Sequence, residues 1–226
     1  MLMRCAFLFR DSLTILHRQG TLISKASERS LAKRLGMPMY TKTDIVNIAG
    51  KLFSERGYHG TSMRDLAKML DVRGATLYSH VESKEEMLWE IVNRAADEFL
   101  TQAEAVPNDV APEQQMRLLV HGHLDVIVRE LPYATVFFHE WQFLESPLRE
   151  KIKARRDEYE QHFRRVVETG IAHGNFQVED ARLATLFILS ALNGTYQWFR
   201  PDGMLTVEQL AEQYNVLIMR SLKERV

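Results

Sequence analysis

Five side chains between positions 73 and 84 have the types and spacing to bind a DNA duplex. They are Arg73, Thr76, Tyr78, His80 and Lys84. Short polar and aromatic groups on one side of a helix can reach base edges in the major groove, where Arg73 can pair with O6 and N7 of a guanine. Lys84 begins a later helix and can bind a phosphate together with the amides of that helix's first turn. The pattern therefore predicts a DNA-binding surface.

Two short helices and a three-residue turn are predicted to position these groups. Residues 63–70 form the first helix and residues 74–80 form the second. Ala67 is small enough to let the helices cross, while Val72 and Leu77 are apolar anchors for the crossing. This arrangement is a helix-turn-helix, in which the second helix enters the major groove.

Helical periodicity is found along nearly the whole chain from residue 41. Apolar residues spaced three and four apart between Ile45 and Phe53 indicate an amphipathic helix that ends at Gly57. Ser83 is expected to cap a long fourth helix. Further helices are predicted at 112–129, 132–144, 147–173, 179–199 and 206–223. No segment alternates with period two for long enough to indicate a strand, so the predicted fold class is all-α.

The last two long helices are predicted to form a dimer interface. Apolar residues from Leu183 to Leu192 leave the helix at 179–199 almost no polar side, so it must be covered on all sides. The final helix adds an apolar stripe that includes Leu210 and Leu217. We expect both helices to pair with their twofold copies in a four-helix interface of a homodimer.

Composition and spacing argue against several other classes of protein. The single cysteine, Cys5, cannot form an intrachain disulfide, and no apolar run approaches the roughly 20 residues of a membrane span. We therefore expect a cytoplasmic protein with no membrane partner. The chain also has no nucleophile–base pair, phosphate-binding loop or zinc-ligand spacing. We accordingly predict no catalytic residue, no metal site and no cofactor.

The helix-turn-helix region closely resembles the DNA-binding head of the TetR family of repressors. The resemblance runs from Thr41 to about Ile91 and includes the runs LFSERGY, TSMRDLA, ATLYSH and SKEEML. It implies that Thr61, Arg73, Thr76, Tyr78, His80 and Lys84 contact phosphates or bases. We add Ser62, which shares the start of the first short helix with Thr61.

The same resemblance implies the organisation and action of the whole chain. We expect a helix-turn-helix domain at 41–88, followed by a ligand-binding and dimerisation domain at 89–226. Such a protein is a dimeric repressor that a small apolar effector releases from a palindromic operator. Residues 1–40 are an extension rich in Lys and Arg. They are either a flexible basic arm that meets DNA phosphates or the product of an upstream start codon.

Three positions differ from the usual pattern of the family. Asp71 stands in the turn where glycine is usual, Arg73-Gly74-Ala75 replaces a Ser-x-Gly entry, and Val81 replaces the aromatic residue that commonly follows the histidine. An aspartate tolerates a left-handed backbone less well than a glycine does. These differences leave the operator sequence open.

Aromatic residues of the predicted helix at 132–144 indicate a ligand cavity. Phe137, Phe138 and Trp141 are expected to share one face of that helix, and an aromatic wall suits an apolar ligand. Ordinary core packing explains the same three residues equally well.

The segment from Asn193 to Gly203 resembles one found in TetR proteins that sense acyl-CoA thioesters and control fatty-acid, steroid or aromatic-acid degradation. The resemblance makes an acyl-CoA the candidate effector. Asn193, Gln197 and Arg200 recur along a largely apolar helix and can orient a thioester or a phosphate. Alternatively, Arg200 caps the helix end and its aromatic neighbours pack at the dimer edge.

Arg155 and Arg156 occupy positions where the apolar stripe of their helix predicts leucine-like residues. They can meet the phosphates of a CoA moiety. The alternative is a solvated face whose arginines pair with acidic neighbours on the same helix.

Overall fold

The computed structural model describes residues 40–223, in which helices are the only regular structure. The helices are α1 (Lys42–Arg56), α2 (Met63–Leu70), α3 (Gly74–Tyr78), α4 (Lys84–Glu104), α5 (Pro112–Arg129), α6 (Leu131–His139), α7 (Ser146–Ala172), α8 (Ala181–Asn193), α9 (Thr195–Trp198) and α10 (Val207–Lys223). A 3-10 turn at Trp141–Phe143 follows α6. The all-α prediction is confirmed. The predicted extension at 1–40 lies outside the described residues, apart from Tyr40.

The head consists of α1, α2 and α3, joined by turns whose residues explain where each helix ends. Gly57 has a φ of 78°, and its N–H donates to the Phe53 carbonyl at 2.9 Å. Glycine suits this left-handed end of α1 because it has no Cβ to clash with the backbone. Asp71 ends α2 in the same conformation, with a φ of 54°. The expected glycine is therefore replaced by an aspartate that adopts the same backbone.

Helix α4 runs from the head into the body. Ser83 caps it by accepting the Glu86 N–H at 3.0 Å, which confirms the predicted cap. Its first half packs on α1, where Ile91 and Val92 are fully buried. Its second half packs on α5, α6 and α7, where Phe99 is buried. One rigid element therefore contacts both parts of the molecule.

Two predicted helices are broken in the structure. The segment predicted at 132–144 ends as an α-helix at His139, because Glu140 turns the chain and places its side chain in a buried contact with the head. The segment predicted at 179–199 divides into α8 and α9 around Gly194. Glycine has a low helix propensity, and the next residue, Thr195, is buried against α10 through the Tyr214 hydroxyl at 3.1 Å.

The body surrounds a large apolar core. Helices α5, α7, α8 and α10 contribute most of its buried side chains, among them Met116, Phe163, Ile188 and Ile218. Within residues 40–223, no helix is long and apolar enough to cross a membrane.

Candidate functional site

Helix α3 presents three of the predicted DNA-binding residues on one exposed surface. Leu77 is buried and fixes the helix against the head, while Arg73 and Thr76 are exposed and Tyr78 is 57% exposed. Arg73 precedes the helix without a side-chain capping bond, so its guanidinium is not used there. His80 lies half-buried in the turn after α3. Leu77 thus anchors the helix, and the polar and aromatic side chains face outward.

Thr61 and Ser62 are used at the turn between α1 and α2. Thr61 is buried, and its hydroxyl lies 3.1 Å from the Gly57 carbonyl and 3.3 Å from the Leu52 carbonyl. Its side chain is therefore internal, which differs from the expected phosphate contact. Ser62 is exposed and forms a capping box with Asp65, whose side chain accepts the Ser62 N–H at 2.8 Å. Hydrogen bonds from Ser62 lower the pKa of Asp65.

Lys84 lies at the joint between the head and the body. Its Nζ is 4.0 Å from the centroid of the Tyr58 ring. Burial lowers the pKa of Lys84, and the nearby Glu140 opposes that change. A cation over an aromatic face is stabilised by the ring quadrupole. The sequence suggested a phosphate contact for Lys84, and this packing role was not visible in it.

A cavity of about 190 Å³ lies among helices α4 to α8. Apolar residues from three of those helices line it: Phe99, Phe137, Phe138, Leu186 and Leu189. The polar groups on its wall include His123, Arg156, Tyr159 and Asn193. The structure thus brings Phe137, Phe138 and Asn193 together.

The other predicted ligand contacts lie elsewhere. Trp141 belongs to the 3-10 turn and is not part of the cavity wall, because α6 ends before it. Gln197 and Arg200 are exposed and also lie off the wall. Helix α8 ends at Asn193, so the predicted continuous row of three polar residues does not form.

Arg155 and Arg156 have opposite surroundings although they are adjacent in α7. Arg155 reaches α4, where it bonds the Asn93 side chain at 2.6 Å and forms an ion pair with Asp97. Arg156 turns to the cavity instead, where it donates a hydrogen bond to the Phe137 carbonyl at 3.4 Å. The second of the two alternatives, pairing with acidic residues of the same helix, therefore applies to neither arginine.

The Arg156 guanidinium sits among three aromatic rings. Its central carbon lies 4.9 Å from the Phe137 centroid, 5.9 Å from Phe138 and 5.1 Å from Trp141. Trp141 thus approaches the cavity indirectly, through this arginine. Burial lowers the pKa of Arg156, which Asp157 partly offsets.

A buried histidine–tyrosine pair forms another polar part of the cavity wall. His123 Nδ1 and the Tyr159 hydroxyl are 2.9 Å apart. Burial lowers the pKa of His123 to about 3 and raises the pKa of Tyr159, so both groups are neutral near pH 7. His123 Nε2 is buried and has no hydrogen-bond partner among residues 40–223. This pair could not be predicted, because a histidine among the apolar positions of α5 does not reveal its partner on α7.

Helix α6 and its 3-10 turn contact both the cavity and the head. Phe137 and Phe138 line the cavity, while Glu140 accepts the Tyr58 N–H at 3.1 Å. The Phe143 ring stacks on Tyr58 with an interplanar angle of 12° and a centroid distance of 6.1 Å.

The start of α6 adds a second connection to the head. The Tyr133 hydroxyl donates to Asn47 Oδ1 at 2.5 Å, and the Arg94 guanidinium lies 4.6 Å from the Tyr133 ring centroid. Arg94 also forms an ion pair with Glu130 at 3.0 Å. These contacts join α1, α4 and α6 at one place.

The surface formed by α8 and α10 is apolar and uncovered in one chain. Leu183 is 65% exposed, Phe187 is 59% exposed and Leu217 is 62% exposed. Trp198 of α9 is also exposed. Large apolar side chains concentrated in this way mark interaction surfaces.

The fold and these surfaces define a helix-turn-helix regulator with a helical ligand-binding body. Two family models agree with that class. The model of bacterial regulatory proteins of the tetR family matches residues 45–91, and the tetracyclin repressor-like C-terminal domain matches residues 109–222. The chain belongs to the TetR family of bacterial transcriptional regulators.

Similar proteins cover most of the chain. The HTH-type transcriptional repressor KstR2 of Rhodococcus jostii is 28% identical over 184 residues, which are 80% of this chain and 90% of that repressor. The TetR family regulator PfmR of Thermus thermophilus superposes with a TM-score of 0.73 at 34% identity, covering 80% of this chain and 99% of PfmR. AibR in complex with isovaleryl coenzyme A and operator DNA gives a TM-score of 0.71 at 28% identity, covering 78% of this chain and 96% of AibR.

Proposed function

We propose that this TetR-family regulator is a homodimeric repressor that an acyl-CoA releases from a palindromic operator. The observation that carries the proposal is the position of α6 and its 3-10 turn. Phe137 and Phe138 of this element line the cavity, and Glu140 accepts a hydrogen bond from the head. A ligand that displaces the aromatic residues therefore acts on the contact that orients the head.

Helix α3 is the recognition helix in this proposal. Arg73, Thr76 and Tyr78 contact bases or phosphates in the major groove, with His80 at the edge of the same surface. Ser62 and Lys84 flank that surface and supply phosphate contacts. Thr61 is left out because its side chain is internal. The functional division remains the one proposed from the sequence, with the head at 41–88 and the body at 89–226.

The apolar surface of α8 and α10 supports a twofold interface between two copies of the chain. Its exposed leucine and phenylalanine side chains are of the kind that obligate homodimers bury. A symmetric dimer presents two recognition helices to two half-sites about 34–36 Å apart, or a multiple of that spacing. The palindromic operator follows from this symmetry.

The aromatic cavity and the AibR structure support an acyl-CoA as the effector. That relative is crystallised with isovaleryl coenzyme A and with operator DNA. The cavity here is smaller than the roughly 300 to 1,000 Å³ of typical ligand pockets, so it accommodates the acyl group and leaves the rest of the CoA outside. Asn193 lies on the cavity wall, while Gln197 and Arg200 are proposed to contact the CoA outside it.

Release follows from a shift between two arrangements of the dimer. The acyl group displaces Phe137 and Phe138, α6 moves with its turn, and α4 follows because both helices are joined near Tyr133. The spacing of the recognition helices then no longer matches the operator. A hundredfold loss of operator affinity requires only about 2.7 kcal/mol of differential effector binding.

Fluorescence anisotropy with DNA from upstream of the protein's own gene tests this function. Wild-type protein is expected to bind the DNA and to be released by one length class in a panel of acyl-CoAs. Tyr78→Ala should bind the DNA more weakly, whereas Gln114→Ala, an exposed change in the body, should bind normally. Normal DNA binding by Tyr78→Ala would contradict the recognition surface, and binding without release by any acyl-CoA would contradict the effector.

A further inference from the structure

Arg156 is a half-buried charged group on the cavity wall, and Asp157 offsets only part of the effect of its burial. Three aromatic rings lie within 6 Å of its guanidinium, and among residues 40–223 it forms no ion pair. The hydrogen bond to the Phe137 carbonyl is long, at 3.4 Å. A guanidinium has five N–H donors, so most of its bonding capacity is unused by the described protein groups.

The acidic residues of α7 do not form an ion pair with Arg156. Asp157 is exposed and acts on Arg156 only at a distance. Glu160 lies on the cavity wall, and its carboxylate pairs with Arg164 one turn further along the helix. Arg155, the preceding residue, has both an amide and a carboxylate from α4. The contrast shows that the fold satisfies one arginine and leaves the next one turned to the cavity.

One residue of the cavity wall has an unsatisfied polar atom. His123 Nε2 is buried without a hydrogen-bond partner in the described part of the chain. Buried polar groups are usually hydrogen-bonded, and exceptions call for a ligand, a water or a functional explanation. A half-buried guanidinium with unused donors, set beside the aromatic side chains of the cavity, indicates a ligand that combines a small hydrocarbon part with an oxygen-bearing end.

We propose that Arg156 binds the carboxyl-derived oxygen of a short acyl effector, with the hydrocarbon part held by the aromatic residues of the cavity. The oxygen is either the carbonyl of a thioester or the carboxylate of the free acid, and both accept hydrogen bonds from a guanidinium. The volume of about 190 Å³ limits the enclosed part to a short chain. This inference rests on the proposed function, because it names the chemistry by which the same cavity recognises its effector.

The position of Arg156 also connects the bound oxygen to the head. The guanidinium touches Phe137 and Phe138 at the end of α6 and Trp141 in the following turn. Glu140, which holds the Tyr58 N–H, lies between these contacts in the chain. An oxygen that draws the guanidinium away from the Phe137 carbonyl therefore loosens the end of α6 beside the contact with the head.

Isothermal titration calorimetry on the DNA-free dimer tests the proposal with four probes. The probes are isovaleryl-CoA, free isovalerate, unacylated CoA and the thioether analogue of isovaleryl-CoA that lacks the carbonyl oxygen. Wild-type protein is expected to bind isovaleryl-CoA or isovalerate, and the one that binds identifies the source of the oxygen. Arg156→Gln should weaken that binding at least tenfold, and Arg156→Lys should weaken it less because it keeps the charge without the planar fork.

The thioether probe and a control variant test whether Arg156 contacts the acyl oxygen. Wild-type protein and Arg156→Gln should bind the thioether equally if Arg156 acts on the oxygen, and a tenfold difference for this probe would overturn the proposal. Arg149→Gln removes an exposed arginine from the same helix and should leave every affinity unchanged. Thermal melting should give Arg156→Gln a cooperative transition with a midpoint somewhat below that of the wild type, because the contacts of the guanidinium with three aromatic rings are lost.

The remaining outcomes separate this inference from the proposed function. Undiminished binding of the acyl probe by both Arg156→Gln and Arg156→Lys would overturn the role of Arg156. If the wild-type protein binds its operator but neither isovaleryl-CoA nor isovalerate, the ligand class is overturned and the DNA-binding function is left intact. If the protein binds the acyl probe through Arg156 but does not bind operator DNA, the proposed function is contradicted and the role of Arg156 is not.

Discussion

The head and the cavity of this protein are built from the sequence in different ways. The exposed residues Arg73, Thr76 and Tyr78 of the head lie close together in the sequence, and local helix rules place them. The cavity draws its wall from residues as far apart in the chain as Phe99 and Asn193. A DNA-contacting surface can therefore be inferred from a short motif, whereas a ligand cavity depends on how several helices pack.

The two regions also treat their polar groups differently. In the head, polar residues are exposed or satisfied, as Ser62 is by its capping box with Asp65. In the cavity, Arg156 and His123 are turned inward with bonding capacity left over. A buried atom without a hydrogen-bond partner, such as His123 Nε2, is costly to folding, so its presence in a residue of the cavity wall points to function more strongly than an exposed polar motif does.

The largest effect is expected from a charge placed in the proposed dimer interface. Leu217→Glu should dissociate the dimer and reduce operator affinity by more than about 100-fold, because a carboxylate would be buried in an apolar surface without a partner. Sedimentation velocity and anisotropy measure the two quantities. Gln114→Glu adds the same charge at an exposed site outside that surface and should change neither. If the Leu217→Glu protein were still a dimer, the two chains would pair through another surface.

The next effect concerns pH and belongs to the cavity alone. His123 has a pKa lowered by burial to about 3, against the usual 6.5, so the unfolded chain binds more protons than the folded chain between these values. The free energy of unfolding should therefore fall as the pH falls through this window, by up to about 1.4 kcal/mol per pH unit. Urea denaturation at about pH 7.5 and about pH 5 measures the change, on either side of the ordinary histidine pKa.

The histidine two residues earlier provides the matched control. His121 is exposed on the same helix, so His121→Asn controls for the removal of an imidazole from α5. His123→Asn should lose about 2 kcal/mol less stability between the two pH values than the wild type does. Equal slopes for His123→Asn and wild type would mean that His123 has the same pKa in the folded and unfolded states, and the lowered pKa would be wrong.

A smaller effect is expected where the two regions meet. Glu140→Ala removes the side chain that accepts the Tyr58 N–H and should reduce effector-induced release about tenfold, which is about 1.4 kcal/mol of coupling. The effector affinity of the DNA-free protein should stay the same. The ratio of operator dissociation constants with and without effector measures this coupling. Gln142→Ala, an exposed change in the adjacent turn, should leave the ratio unaltered, and an unaltered ratio for Glu140→Ala would place the connection elsewhere.

The smallest effect distinguishes packing from DNA contact in the head. Thr61→Val removes a buried hydroxyl that bonds the carbonyl of Gly57 and should lower the unfolding free energy by about 1 kcal/mol. Operator affinity measured well below the melting temperature should change less than about twofold, because the Thr61 side chain is internal. Normal stability combined with a large loss of operator affinity would restore Thr61 as a DNA contact.

The fold was largely predictable because its helices follow local rules. Apolar periodicity and the caps at Gly57 and Ser83 predicted the first helices and the helix-turn-helix. The break at Glu140 was missed: Glu140 contacts Tyr58, which is 82 residues away in the sequence, so local periodicity could not reveal that contact. Trp141 was assigned to a helix face for the same reason.

The candidate site was predictable only in part. Phe137 and Phe138 line the cavity, since an apolar residue type at helical spacing is a fair guide to burial, and the polar Asn193 also lies on the wall. The different surroundings of Arg155 and Arg156 could not be inferred, because adjacent residues of a helix differ by about 100° in direction and the partners lie on other helices. The pairing of His123 with the Tyr159 hydroxyl likewise joins two helices and depends on their packing.

Calorimetry of effector binding to the free and the operator-bound protein tests the central claim most directly. If occupation of the cavity and engagement of the operator oppose one another through α6, the effector must bind the operator-bound protein more weakly by the same factor by which it weakens operator binding. We predict a factor of about 100, equivalent to about 2.7 kcal/mol. An effector that binds both forms with equal affinity would contradict the account, because the cavity would then have no influence on the head.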